Sequence, residues 1–251
     1  MKKIKIITLI VLLYTLQIVP AISFAEQINL TSCDWKPYNG EGLLNNGFTC
    51  EIISKAFERR GHKVSFTFLP WKRAMLETEK GKYHALFAAY YTKERATIYA
   101  ASDAYATGPL VLCAKKNSNI KYKSLNDLKP YRIGVVLGYA NTDAFDRADY
   151  LKKDTVSFDL QNIRKLLAGR VDLIVVDKYL ALYHLKNSPV LDGNSQSVEF
   201  LDPPLQEKTL HVMFSRAIPG FEKRVTDFNQ GLKEIKADGT YKKILIRHDF
   251  F

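Results

Sequence analysis

The sequence predicts an α/β fold whose parallel strands are covered on both faces, in a chain of two similar halves. Three observations predict it. Short apolar runs such as "YHALFAA", "RIGVVLG" and "RVDLIVVD" alternate with amphipathic helical stretches along most of the 251 residues, the pattern of repeated βα units. Glycines such as Gly61, Gly81 and Gly169 stop helical stretches where the next strand is due. The plan of "EKGKYHALFAAYYTKER" also returns in "LAGRVDLIVVDKYLALY". In both, a helix stops at glycine, one basic residue follows, an apolar strand runs, and a polar group lies past its end: Arg95 in the first, Asp177 in the second. In open α/β sheets ligands sit beyond the carboxyl ends of strands. Each half therefore delivers one charge, of opposite sign, to a ligand-binding edge.

The elements read in order. "QINLTSC" is a strand, and "GFTCEIISKAFERRG" a helix with Phe48, Ile52, Ala56 and Arg59 at helical spacing. "KVSFTFLP" alternates Val64, Phe66 and Phe68 as a strand does; "WKRAMLETEKG" is a second helix and "YHALFAA" a buried strand. "PLVLCAKK" is a strand, and "SLNDLKPYRIGVVLGYANTDAFD" reads helix, strand, helix. "FDLQNIRKLLAG", "RVDLIVVD" and "KYLALYHLK" repeat the helix-strand-helix order; "SVEFLD" and "TLHVMFSR" are strands, and two helices, "GFEKRVTDFNQGLKEIKADG" and "TYKKILIRH", close the chain.

The N-terminus predicts the compartment. Lys2, Lys3 and Lys5, an apolar run from Ile6 and the small-x-small site Ser23-Phe24-Ala25 make residues 1–25 a cleaved secretory signal peptide. Gln17 and Pro20 break the run, which is short for a membrane span, and no cysteine stands at the cleavage point to carry a lipid. A soluble periplasmic protein is expected. The formal charge of +11 is spread over helices and loops without a basic run, so it reads as a solvated surface and not as a nucleic-acid face. Cys33 and Cys50 stand near the first strand and first helix and form a possible disulfide in an oxidising compartment; Cys113 is the odd one, in an apolar strand. His62, His84, His184, His211 and His248 are dispersed, so no metal is expected. Nucleophile-elbow, P-loop, dinucleotide and zinc-protease patterns are absent, which argues for a protein that binds without turnover and without a cofactor.

What remains suits a small zwitterion. A guanidinium grips a carboxylate with two parallel hydrogen bonds, a carboxylate accepts from an ammonium, and Trp35, Tyr38, Trp71, Tyr90 and Tyr139 offer faces to the rest. Trp35, Tyr38 and Trp71 serve equally well as core. At the turn "VVLGYANTDAF" the N–H groups of Ala140 and Asn141 face either an anion or nothing in particular.

Over its whole mature length the chain resembles the amino-acid (family 3) solute-binding proteins that serve ABC importers. "TKER" followed by "SDAY", "SLNDLKPYRIGVVLG", "LLAGRVDLIVVD" and the terminal "KADGTYKKI" carry the likeness by their order and spacing. The resemblance implies two lobes joined by two crossing segments, with residues 26–112 and 206–251 in one lobe and 113–205 in the other. It also implies a monomer whose partners are a small-molecule ligand and the importer's permease subunits in the inner membrane. Arg95 would hold the ligand α-carboxylate, Asp177 the α-ammonium, Trp35 or Tyr38 its body, and Tyr139, Ala140 and Asn141 the second-lobe turn. Two departures stand out. Ala88, Ala89 and Tyr90 occupy places where relatives carry small residues and a hydroxyl, and Tyr139-Ala140 replaces a usual Ser/Thr pair. The departures imply a smaller pocket or a different ligand. A sensor or accessory module, or a cyclohexadienyl-dehydratase-like enzyme, are the competing readings.

Overall fold

The computed structural model of the protein describes residues 25–191 and 195–250, so the expected signal peptide lies outside the described residues apart from Ala25. The strands are β1 (Gln27–Ser32), β2 (Lys63–Phe68), β3 (Ala85–Tyr90), β4 (Tyr99–Ala101), β5 (Ala106–Lys115), β6 (Arg132–Val136), β7 (Lys152–Val156), β8 (Leu173–Asp177), β9 (Val198–Phe200) and β10 (Gln206–Ser215). The helices are α1 (Phe48–Glu58), α2 (Trp71–Glu79), α3 (Lys93–Ile98), α4 (Asp143–Asp146), α5 (Asp159–Leu167), α6 (Lys178–Asn187), α7 (Phe221–Ala237) and α8 (Thr240–Arg247).

The strands join in the order β2-β1-β3-β10-β5-β8-β6-β7, with β4 on β10 and β9 on β5. At each end the pairing is parallel, as the βα pattern predicts: β1 with β2 and β3, and β6 with β7 and β8. The middle departs from the all-parallel expectation. β5 and β10 are long strands that run antiparallel to each other and to their other neighbours. β5 pairs with β10 through Ala106–Leu110 and with β8 through Leu110–Ala114. β10 pairs with β5 through Gln206–Leu210 and then passes to β3. These two strands connect the two lobes, and their registers place the functional ends: Leu210 is opposite Tyr90 at the end of β3, and Leu110 opposite Asp177 at the end of β8.

Packing explains the helices. On α7 the buried positions Arg224, Asp227, Phe228, Gly231, Leu232 and Ile235 follow helical spacing and face α1. Gly231 permits the approach, since a Cβ there would lie 1.9 Å from the Ala56 carbonyl oxygen. Three elements were not legible in the sequence: α3, β4 and β7. β7 reads "KKDTV", a polar run, because it is the edge of the sheet and only half-buried. The helices expected in "SLNDL" and "ANTDAFD" are single turns, a 3-10 turn at Leu125–Leu128 and α4.

The possible Cys33–Cys50 disulfide is not formed: Cys33, Cys50 and Cys113 are all free and buried. Cys50 sits on the buried face of α1, whereas Cys33 follows β1 and turns its sulfur to within 3.8 Å of the Tyr139 hydroxyl. Desolvation raises both thiols, Cys33 to about 12.

Candidate functional site

Arg95 is placed by local chemistry. β3 ends at Tyr90, and the Thr92 side chain caps α3 by accepting from the Arg95 backbone N–H at 3.0 Å. That fixes Arg95 in the first turn, and its side chain folds back beneath the strand end. Nη1 donates to the Tyr90 carbonyl at 2.8 Å, and Nη2 reaches across the cleft to the Gly138 carbonyl at 3.0 Å. The guanidinium lies over the Trp71 ring, 5.2 Å from its centroid, and Trp71 Nε1 donates to the same Gly138 carbonyl at 3.0 Å. Arg95 is 6% exposed. Among the described residues no carboxylate comes within ion-pair distance of it, and burial pulls its pKa down to about 10, which still leaves it charged at neutral pH. A guanidinium has five N–H donors; two are committed. The Arg95 side chain borders a small cavity lined by Cys33, Trp35, Trp71, Ala88, Tyr90, Tyr139 and Ala140.

Asp177 is placed by the strand-to-helix turn that follows β8. Its Oδ1 accepts from the backbone N–H groups of Tyr179 and Leu180 at 3.0 and 3.1 Å, capping α6. Its Oδ2 accepts from the hydroxyls of Tyr38 at 3.0 Å and Tyr90 at 3.3 Å, both from the other lobe. A carboxylate offers about four lone-pair directions, and all four are taken. Asp177 therefore stands behind the cavity wall and not in it. Burial raises its pKa to about 7 despite the hydrogen bonds it accepts.

The aromatic residues form the walls. Trp35 stacks on Tyr38 with centroids 4.4 Å apart and meets Tyr90 edge-on at 5.7 Å; Trp71 meets Tyr139 edge-on at 6.1 Å. Tyr38 is fully buried and lies outside the cavity lining, as the partner of Asp177. Tyr139 donates to Asp159 at 2.7 Å. At the second-lobe turn Ala140 borders the cavity, but the Asn141 N–H is spent on Asp146 at 2.9 Å and its side chain on the same carboxylate at 2.8 Å. The Asn141 carbonyl accepts from Lys208 Nζ at 2.6 Å. Of the residues singled out in the sequence, the structure thus brings Trp35, Trp71, Tyr90, Arg95, Tyr139 and Ala140 around one cavity. Tyr38, Asn141 and Asp177 stand one layer back.

Sequence reasoning missed four residues. Cys33 lines the cavity. Asp159, 7% exposed and raised by burial to about 6, holds Tyr139. Asp159 follows β7, so the rule that sites lie past strand ends would have found it had the polar β7 been legible. Lys208, 6% exposed, lies 5.2 Å from the Tyr90 ring centroid as well as on Asn141. Gly108 on β5 passes under the Tyr38–Asp177 contact: a Cβ there would lie 2.3 Å from both the Tyr38 hydroxyl and Asp177 Oδ2. Among the described residues no cluster of side chains suits a metal ion, and no helix is long and apolar enough to cross a membrane.

Comparison with known proteins adds three findings. The model of the bacterial extracellular solute-binding proteins, family 3, matches residues 30–249. ABC transporter arginine-binding protein 1 of Escherichia coli (strain K12) is 28% identical over 228 residues, covering 88% of this chain and 90% of its own. Two solved structures share the fold. One is an ancestral arginine-binding protein bound to arginine, with TM-score 0.72, 24% identity and coverage of 88% of this chain and 97% of its own. The other is an ancestral amino acid-binding protein, a precursor of cyclohexadienyl dehydratase, with TM-score 0.71, 23% identity and coverage of 88% and 94%.

Proposed function

The chain belongs to the bacterial extracellular solute-binding proteins, family 3, and from that premise we propose that Arg95 grips the carboxylate of a small solute enclosed between the two lobes. One observation carries the reading: a buried cation with three uncommitted donors faces an aromatic-lined cleft with no carboxylate within ion-pair distance of it among the described residues. Burying a charge unpaired is costly, and a carboxylate in the cavity removes that cost through two parallel charge-assisted bonds. The cleft is shut by Tyr38, Tyr90, Trp71 and Arg95 reaching across to Asp177 and Gly138. A ligand that touches both walls selects this closed state over an open one. The lobes exchange at the pairing switches Leu110 and Leu210, which supports residues 26–112 and 206–251 as one lobe and 113–205 as the other. The closed, loaded protein is read by the permease subunits of an ABC importer, as the name of the Escherichia coli relative suggests. Export through a cleaved signal peptide places this in the periplasm, with the protein acting as a monomer.

A dehydratase on this fold has the ancestral relative in its favour. Elimination needs a positioned acid at the reacting atoms, and the cavity lining holds no carboxylic acid, so binding without turnover is the better supported reading. A thermal-shift screen of amino acids, small carboxylates and polyamines identifies the ligand, and calorimetry on Arg95→Ala then tests the grip. Affinity should fall by a hundredfold or more, and Arg95→Lys should lose most of it, since an ammonium makes no bidentate pair. A loss under tenfold in Arg95→Ala, with circular dichroism unchanged, ends the proposal. Steady turnover of prephenate or arogenate would replace it with the enzyme reading.

A further inference from the structure

We infer that the solute is a compact carboxylate with no ammonium group, a class distinct from the amino acids. The inference rests on the reading that Arg95 holds a carboxylate, and it adds what the rest of the site refuses. A zwitterion needs an acceptor for its ammonium as well as a donor for its carboxylate. The cavity lining offers the donor alone: Cys33, Trp35, Trp71, Ala88, Tyr90, Tyr139 and Ala140 bring no acidic side chain to accompany Arg95.

The two carboxylates behind the wall are both screened by phenol hydroxyls. Asp177 has its four acceptor directions filled by two backbone N–H groups and two phenol hydroxyls. Asp159 is covered by Tyr139, which donates to it. What faces inward from these pairs is phenol, whose oxygen keeps a lone pair but no charge. A second cation stands close by, with Lys208 Nζ at 5.2 Å from the centroid of the cavity-lining Tyr90 ring. An ammonium entering here would meet two positive charges, while the nearest carboxylates, Asp159 and Asp177, stand behind the phenols that donate to them. Shape agrees with charge. The free space beside Arg95 is small, and the walls are indole, phenol and methyl surfaces. A short or flat apolar body behind one carboxylate fits them.

The test uses matched pairs that differ only in the amino group: propanoate and alanine, 3-methylbutanoate and valine, 3-phenylpropanoate and phenylalanine. Each is titrated calorimetrically into the mature chain, into Arg95→Ala, and into the Tyr38→Phe, Tyr90→Phe double variant, all unfolded and refolded to strip carried-over solute. In at least one pair the plain carboxylate should bind the mature chain tenfold or more tighter than its amino acid. Arg95→Ala should lose that binding by a hundredfold or more. The double variant, which uncovers Asp177 Oδ2, should narrow or reverse the preference. An amino acid that binds the mature chain as tightly as its partner, with the binding lost in Arg95→Ala, overturns this inference and leaves the Arg95 reading standing. Plain-carboxylate binding that persists in Arg95→Ala overturns the Arg95 reading and this inference with it. No binding by any of the six probes at millimolar concentration overturns the ligand class.

Discussion

Arg95 and Asp177 occupy matching places in the two lobes, yet they have opposite surroundings. Each stands at or shortly past the end of a strand that meets the β5–β10 crossover, and each is almost fully buried. Among the described residues Arg95 has two carbonyl partners and no carboxylate within ion-pair distance, and a cavity lies in front of it. Asp177 has four donors, is the cap of α6 and is separated from the cavity by tyrosine. The pair shows that topology fixes where a charge arrives, whereas the neighbouring side chains decide whether it is left for a ligand or spent on the protein. On the proposed reading, one position is a binding group and the other a fastening between the lobes.

The sharpest way to break that contrast is to remove each charge in turn. Arg95→Ala should cost the ligand about 3–5 kcal/mol, roughly a hundredfold to several thousandfold in affinity, while the ligand-free protein keeps its fold. Asp177→Ala should do the reverse. It removes a helix cap, worth about 0.5–2 kcal/mol, and leaves two buried phenols without their acceptor, at about 1–3 kcal/mol for each group left unpaired. At about 2–4 °C per kcal/mol for a chain of this size, the melting temperature should fall by roughly 5–30 °C. Scanning calorimetry of both variants without ligand checks the contrast. Equal losses of stability would mean the two charges are alike, and the distinction would fall.

The fastening can also be tested without touching either charge. At Gly108 a methyl group would collide with both the Tyr38 hydroxyl and Asp177 Oδ2 at 2.3 Å. These two atoms come from the two walls of the cleft, and their contact at 3.0 Å spans it. Gly108→Ala should therefore favour the open cleft, enlarging the radius of gyration in small-angle scattering and weakening ligand binding about tenfold or more, or about 1.4 kcal/mol. Unchanged scattering together with affinity within twofold of the parent would show that the Tyr38–Asp177 contact does not hold the lobes.

Much of this was legible in the sequence, for physical reasons that differ by residue. Parallel strands buried on both faces spell continuous apolar runs, so β3, β6 and β8 and the residues past their ends stood out. Arg95 was found that way. The edge strand β7 has no such signature, and Asp159 after it was hidden as a result. The resemblance implies two crossing segments, but the antiparallel direction of β5 and β10 was not legible, because an apolar run does not reveal the direction of its partner. The occupancy of Asp177 was the hardest to read. It depends on Tyr38, 139 residues away in sequence, and on Tyr90, whose presence was noticed as a departure but whose hydroxyl could not be aimed. The Cys33–Cys50 pairing failed similarly: sequence proximity says nothing of which way two side chains face.

A smaller effect separates the charged from the satisfied state of Asp177. Its pKa is raised from 3.8 to about 7 by desolvation, so the folded protein holds a proton that the unfolded chain releases. Between about pH 4 and pH 7 the folded state binds more protons, and this group's contribution to stability declines as pH rises through that window and is flat above it. Asp159, raised to about 6, acts in the same sense, whereas His184, lowered to about 4, acts in the opposite one. The difference between the parent and Asp177→Asn isolates the group. The melting-temperature advantage of the parent over the variant should shrink steadily from pH 4.5 to pH 7.5. An advantage that grows with pH would mean the four hydrogen bonds outweigh burial and hold Asp177 ionised.

The smallest expected effect concerns the cavity wall between the two charges. Ala88 has φ +52°, in the left-handed region that favours glycine, in the interior of β3 where β10 shifts register between His211 and Met213. Its N–H is held by the Tyr105 hydroxyl at 2.9 Å, which fixes the backbone there, and the residue borders the cavity. A non-glycine residue in this conformation costs about 1–2 kcal/mol. Ala88→Gly removes that strain but restores freedom to the unfolded chain, about 0.4–1 kcal/mol in the other direction. The net should be a gain of about 0–1.6 kcal/mol, a rise of at most about 3–6 °C in melting temperature. Loss of the methyl also widens the wall, so a bulkier carboxylate such as 3-phenylpropanoate should gain on propanoate in the variant. A melting temperature lowered by several degrees, with the ligand preference unchanged, would mean that the methyl packs against the core and that its strain does nothing to shape the site.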